Sequence, residues 1–442
     1  MKNRDRMQLA EWAIDYAAEC GAAQSSVAIS NSRNIEIEFR DKKLEKLKES
    51  TQNSLYLQVY TKKRYSGHST NDLRKEELKK FVEEAVAATK YLSEDEFRSL
   101  PDSKYYPSEE DFKRDLKLLD KSYEKVNSEN RVKMASEIEE AAMSVSDLII
   151  SATAGYYDSY YETTRVHSNG LKAETSGTSF SAGAEVTVKD KDGGRPEDWF
   201  YAGTRFINEL PSPEILGKTA AKRALQKIGQ KKIESGKYVM LVENRTSSRL
   251  LSLFNQAMSA RAIQQKSSFL DGMLGKKIAN EKLTVIDNPF LEKGLGSRFF
   301  DGEGIAAKKR TVIEKGILNN YYIDYYYGKK LGWEPTSGSA SNILLEYGSK
   351  SFEQMIKELE RAIVVNGFIG GNSNSTTGDF SFGIVGLLVE KGEIVQPINE
   401  MNISGNALEL WDKLVEVGND PYPYSSYRIP SLLFEGANFS GI

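Results

Sequence analysis

The order of its elements constrains this chain more than its composition does. A helix, several strands and a second helix read off the sequence twice before residue 230, a rhythm that points to an α+β fold. In the first round, Leu9, Trp12, Ala13, Tyr16 and Ala17 give residues 7–20 helical spacing, and Gly21 is a natural stop. Alternating runs follow at 26–30, 35–40, 54–60 and 64–69, the last two reading as a hairpin across Lys62 and Lys63. Asp72 then caps a helix over 73–91 with Leu78, Phe81, Val82 and Ala85 on one stripe. In the second round, a helix over 130–145 precedes strands at 148–154, 160–167, 180–189 and 199–206. Pro213 opens a helix that Gly229 ends. The repeated order allows a structural duplication, although residue identity between the halves does not establish one.

The stretch 92–111, with Pro101, Pro107 and many charges, reads as a linker between units 1–91 and 112–230. Residues 229–236 mark the next boundary, so 1–230 form an N-terminal α+β region and 231–442 a β-rich domain. In the latter, a strand at 238–242 and a helix over 246–264 precede strands at 283–286, 310–314, 317–322, 362–369, 380–390 and 393–397. The Lys315-Gly316 and Lys391-Gly392 pairs sit between apolar alternations as hairpin turns. The expectation is a large antiparallel sheet or partial barrel in the C-terminal half.

A net charge of -3 carries no electrostatic footprint for nucleic acid. A single cysteine, Cys20, cannot form an internal disulfide, which fits a reducing compartment. No apolar run approaches the roughly 20 residues of a membrane-spanning helix, and the start of the chain has no apolar signal core. A cytoplasmic location is expected.

Few residue constellations suggest chemistry. The glycine-rich run GFIGGNSNSTTG at 367–378 lacks the Lys-Ser/Thr ending of a P-loop. It reads as an ordered loop between two strands, and any function would be a backbone-rich rim for an extended peptide. The two histidines, His68 and His167, lie at strand ends away from any nucleophile elbow, and Cys20 looks like a core residue. Asp301 and Glu303 share a glycine-flanked turn, where turn hydrogen bonding weighs more than acid–base work or a hard-cation site. The 23 tyrosines cluster, as at 156–157, 160–161 and 325–327; most are explained by packing on strands, although tyrosine also suits interfaces.

The C-terminal half carries SSFL at 267–270, IDNPFLEKGLGSRFFDGEG at 286–304 and KGIL at 315–318. It continues with STTGDFSFG at 375–383, EKGEIVQP at 390–397, ISGN at 403–406 and VGND at 417–420. In order and spacing over about 200 residues, this resembles the TldD/PmbA family, known as modulators of DNA gyrase and as metallopeptidases. Active members begin a helix with His-Glu, place a second His after three residues, and add a Cys near the C-terminus, a donor set suited to a zinc hydrolase. The corresponding helix here reads LLSLFNQA at 250–257, with Ser252 and Ala257 at the ligand positions and Leu253 at the base position. No Cys follows residue 20.

The resemblance therefore implies the PmbA (TldE-like) branch, which has no catalytic residue or metal ligand of its own. Such a chain pairs with a TldD-like, zinc-bearing subunit to enclose a chamber for unfolded peptides. Ser252, Gln256, Gly370, Gly371, Asn372, Asp301 and Glu303 are the expected peptide-contacting candidates. Two further readings stand beside this one, a homodimeric peptide-binding protein and a hydrolase built on Asp301 and Glu303.

Overall fold

The computed structural model describes residues 3–442. Two helix–meander–helix units open the chain. The first comprises α1 (Asn3–Glu19), β1 (Gln24–Arg40), β2 (Lys43–Thr61), β3 (Arg64–Thr70) and α2 (Lys75–Thr89). The second comprises α3 (Ser128–Met143), β4 (Ile149–His167), β5 (Lys172–Val188), β6 (Glu197–Thr204) and α4 (Pro213–Leu225). Their six strands form one antiparallel sheet in the order β3-β2-β1-β4-β5-β6. The units meet through β1 and β4, paired from Ser26↔His167 to Arg40↔Thr153. Each unit thus occupies a mirrored half of the sheet.

All four helices lie on one face, because alternate strand residues point the same way. In β1, Val27 and Ile29 pack with Ala10, Ala13 and Ala17 of α1 and Leu78, Val82 and Val86 of α2. Further along the same face, Ile35 and Ile37 join Ala135 and Ile138 of α3 and Leu216 and Ala220 of α4. The intervening Ser30, Glu36 and Glu38 turn to the uncovered face.

The C-terminal half continues with β7 (Gly236–Val242), α5 (Asn244–Ala257), α6 (Ala260–Gln264), β8 (Val285–Asp287), β9 (Arg310–Glu314) and β10 (Ile317–Leu318). Next come α7 (Tyr325–Leu331), β11 (Ile343–Leu345), α8 (Phe352–Lys357), β12 (Arg361–Ser373), β13 (Asp379–Glu390) and β14 (Glu393–Asn406). The chain closes with α9 (Ala407–Asp412), β15 (Leu414–Val417), β16 (Tyr427–Arg428) and β17 (Leu432–Ser440). Strands β14-β13-β12-β7-β17 curl until β17 meets β14 at Asn402↔Ser440, Ile403↔Phe439 and Ser404↔Asn438, a partial five-strand barrel. Its core holds Met240, Val242, Ile363, Val365, Phe382, Ile403 and Phe434, with α5 and Trp411 packed against them. A smaller sheet, β10-β9-β8-β11-β16, lies alongside.

Several local expectations change. The runs 26–30 and 35–40 are one strand, as are 148–154 and 160–167. The polar residues between them stay extended because neighbours on both sides supply ladder partners, such as Asn31 with Asn53 and Glu162. Asp72 does not cap α2, whose N-cap is Arg74 without a side-chain bond; Asp72 instead holds the Arg74 guanidinium. The helix expected over 246–264 is two helices, because Ser259 interrupts it and caps α6 through the Ala262 N–H. The 317–322 run is a strand only through Leu318. The glycine-rich run continues β12 to Ser373 before the chain turns. The Lys62-Lys63, Lys315-Gly316 and Lys391-Gly392 turns all have positive φ at both positions, as type I′ hairpins require.

Candidate functional site

Helix α5 follows directly from β7 and is amphipathic for a simple reason. Leu250, Leu251, Leu253, Phe254 and Ala257 are buried against the barrel, whereas Arg245, Arg249 and Ser252 recur at helical spacing on the other face. That polar face borders a cleft of about 690 Å³ between the first sheet and the barrel. Glu185, Glu197, Asp198 and Trp199 come from the sheet side, and 366–370 of β12 from the barrel side.

The structure brings Ser252 and Gly370 together at this cleft, and Gly370, Gly371 and Asn372 line an adjoining hollow with Lys232 and Glu400. Gln256 continues the stripe of Ser252 but is exposed outside the cleft lining. Leu253 and Ala257 do not share the face of Ser252; both point into the core. Sequence reading missed Asp198, Trp199, Arg245, Arg249 and Asn366. Only the helical spacing of 245, 249 and 252 held a signal for them.

A buried charge network joins the two halves beside the cleft. Asp198 of β6 lies 3.2 Å from Arg245 and 3.2 Å from Lys227, and 3.7 Å from Arg223. Arg223 also makes a two-pronged pair with Glu243, at 2.6 and 2.7 Å. Burial alone would raise the Asp198 pKa, but Arg245, Lys227 and Arg223 together outweigh it and hold the carboxyl below its ordinary value. Lys227 is also pushed down, because its own burial outweighs the attraction of Asp198.

Asp301 and Glu303 lie elsewhere, where the turn that bears them meets the N-terminal region. Gly304 sits against Leu171, His167 and Tyr106. Both Asp301 oxygens are occupied, Oδ1 by the Glu303 and Ile305 N–H groups and Oδ2 by that of Gly338. Glu303 Oε2 accepts from the Tyr325 N–H at 2.6 Å. Burial raises Glu303 to about 7, against the lowering effect of that hydrogen bond. Below its unfolded-state pKa the group is protonated in both states; between that value and about 7 only the folded state keeps the proton. Stability is therefore lost as pH rises through this window. Glu303→Gln is expected to flatten that slope and to be more stable than the wild type at pH 8, as read from unfolding midpoints between pH 5 and 8. Equal slopes would show that Glu303 titrates normally.

The remaining candidates are structural. His68 bonds to Ser66 at 2.8 Å and packs edge-on against Phe81. His167 is buried against Tyr106, and burial holds its pKa down at about 3. Burial also raises the Cys20 thiol.

Three family models match the chain. Residues 26–89 match PmbA/TldA metallopeptidase domain 1, 121–228 the central domain and 235–441 the C-terminal domain. A metalloprotease PmbA homologue of Buchnera aphidicola is 30% identical over 426 residues, covering 95% of this chain and 93% of its own. The chain belongs to the PmbA/TldD family. The metalloprotease PmbA of Escherichia coli O157:H7 is 28% identical over 440 residues, covering 98% of this chain and 96% of its own. A putative modulator of DNA gyrase from Bacteroides thetaiotaomicron superposes with a TM-score of 0.96 at 41% identity, over 100% of both chains. TldE from Thermococcus kodakarensis shares the fold, with a TM-score of 0.87 at 22% identity over 98% of this chain and 100% of its own.

Relatives in this PmbA/TldD family are named metalloproteases, so the donor set matters. Ser252, Leu253 and Ala257 offer neither imidazole, thiolate nor carboxylate, and do not fit zinc. Among the described residues, no three His, Cys, Asp or Glu side chains group closely enough to hold a metal ion. No helix among them is long and apolar enough to cross a membrane.

Proposed function

We propose that this chain is a non-catalytic, cytoplasmic subunit of a TldD/PmbA-type metallopeptidase complex that acts on unfolded peptides. Zinc and the hydrolytic groups belong to a TldD-like partner. The observation that carries this reading is α5: it retains the helix, the cleft and the barrel around it, yet offers Ser252 to the cleft and buries Leu253 and Ala257. The chain's part is to shape the chamber and present peptide, with Ser252, Gly370, Gly371 and Asn372 lining the surface that receives it. The carboxylate alternative has less support, because Asp301 is held by two backbone N–H groups of its own turn and by that of Gly338, and Glu303 by the start of α7.

The test compares the chain alone with the chain mixed with a TldD-like protein, measuring zinc content and cleavage of an unstructured peptide. Alone, it is expected to hold no stoichiometric zinc and to cleave nothing. Together, a stable complex should cleave, and replacing the partner's ligand histidines should abolish cleavage. Zinc and activity in the lone chain would overturn the reading. Failure to associate, with a stable dimer of this chain instead, would favour the homodimeric peptide-binding protein.

A further inference from the structure

Four observations converge on the cleft beside α5. First, Glu185 of β5 and Glu197 of β6 both line it, and among the described residues neither carboxylate has a cation or hydrogen-bond donor. Burial, with repulsion from Glu197 second, raises the Glu185 pKa. Second, Asn366 is only 6% exposed, and its Oδ1 is buried with no hydrogen-bond partner. A buried acceptor left open in a native protein calls for an explanation. Its backbone carbonyl is satisfied, by Arg245 at 2.9 Å and Arg223 at 3.4 Å. Third, Arg249 lines the same cleft, exposed and without a carboxylate partner, its guanidinium 4.6 Å from the Phe382 ring centre. Fourth, β7 accompanies β12 only as far as Val365↔Val242. Beyond it, Gly367, Phe368 and Gly371 pair with β13 on one side around a bulge at 369–370, and no described strand lies on the other.

These features leave acceptors at one wall, a free cation at the other and an open strand edge between. An α-ammonium group brings three donors and a positive charge, the complement of two unpaired carboxylates. A cavity of about 690 Å³ is the size of a small-ligand site, so it admits a short segment and not a folded domain.

We propose that this cleft is a receptor for short peptides with a free amino terminus. The α-ammonium group lies at Glu185 and Glu197. The main chain runs along the open edge of β12, with an N–H directed to Asn366 Oδ1, and the carboxylate end meets Arg249. This rests on the reading that the chain handles peptides, but not on its lacking catalysis.

Calorimetric titration of the full chain without partner tests it, with tetra-alanine, N-acetyl-tetra-alanine and tetra-alanine amide as probes. The free peptide is expected to bind, and acetylation to weaken binding roughly tenfold or more, as for loss of charge-assisted hydrogen bonds. E185Q/E197Q should lower binding of the free peptide to the level of the acetylated one and leave the acetylated one unchanged. R249Q should erase the preference for the free carboxylate over the amide. No binding of tetra-alanine at millimolar concentration overturns the inference, as does equal binding of the free and acetylated peptides. The acetylation comparison needs only the wild type, so it decides even if a variant misfolds. Cleavage of tetra-alanine by the lone chain would instead overturn the non-catalytic reading, an outcome separate from loss of the terminus preference.

Discussion

Replacing Asp158 by alanine is expected to destabilise the protein by about 3–5 kcal/mol, the range for removing one partner of a buried ion pair. Asp158 sits in the middle of β4, its side chain fully buried beside that of Arg131 on α3, with 2.6 Å between Nε and Oδ2. Tyr123 and Tyr156 donate to the same carboxylate at 2.8 and 2.9 Å. The substitution strands the Arg131 charge and two hydroxyl donors in a low-dielectric core, and the desolvation of all three is then uncompensated. The pair need not be net stabilising in itself. A double variant, Arg131→Met with Asp158→Leu, is therefore expected to recover the part of the loss that comes from the stranded charge, while the Tyr123 and Tyr156 hydroxyls stay without their acceptor. Denaturant unfolding followed by circular dichroism reads both. A loss below about 1 kcal/mol in the single variant would mean that water or a rearranged side chain reaches Arg131.

How much of this was readable in sequence depended on how local the cause was. Turns were legible, because Lys62-Lys63, Lys315-Gly316 and Lys391-Gly392 each interrupt an alternation at the two positions where the chain takes positive φ. The helix–strands–helix order, and a C-terminal sheet closing toward a barrel, followed from periodicity in the same way; the parallel pairing of β7 with β12 inside that sheet did not. The lengths of β1 and β4 did not. Residues 31–34 are held extended by β2 on one side and β4 on the other, a tertiary cause with no local trace. The Asp72 cap failed because the neighbouring Arg74 binds its carboxylate, at 2.9 and 3.0 Å from Nε. The cleft was legible only through α5, where LLSLFNQA showed missing donors. Its other walls come from β5, β6 and β12, far apart in sequence, and isolated residues such as Glu185, Asp198 and Asn366 look like ordinary strand polar groups until the halves are docked.

Asp198→Ala is expected to have an effect of similar size, about 3–5 kcal/mol, for a different reason. The Asp158 site is a single pair, whereas Asp198 is the acid on which Lys227, Arg245 and Arg223 converge, with only Glu243 to oppose them otherwise. Its side chain is 3% exposed, so solvent does little to screen the three cations once it is gone. Lys227 is the group that can yield, since burial already pushes its pKa down and losing Asp198 pushes it further. Adding Lys227→Met to Asp198→Ala should accordingly restore part of the stability, whereas adding Lys133→Met, on the exposed face of α3, should restore none. The pH dependence supplies an independent check. Because the folded-state pKa of Asp198 is depressed, its contribution is present above the unfolded value near 4 and is lost as pH falls through the folded value. Asp198→Asn should thus be less stable than the wild type at neutral pH, and the gap should narrow as acid protonates the native carboxylate. A gap that stays constant down to pH 2 would show that Asp198 acts through packing and not through charge. The same variant also bears on the cleft, since Arg245 holds the Asn366 carbonyl while paired to Asp198; a displaced Arg245 would weaken tetra-alanine binding without touching Glu185 or Glu197.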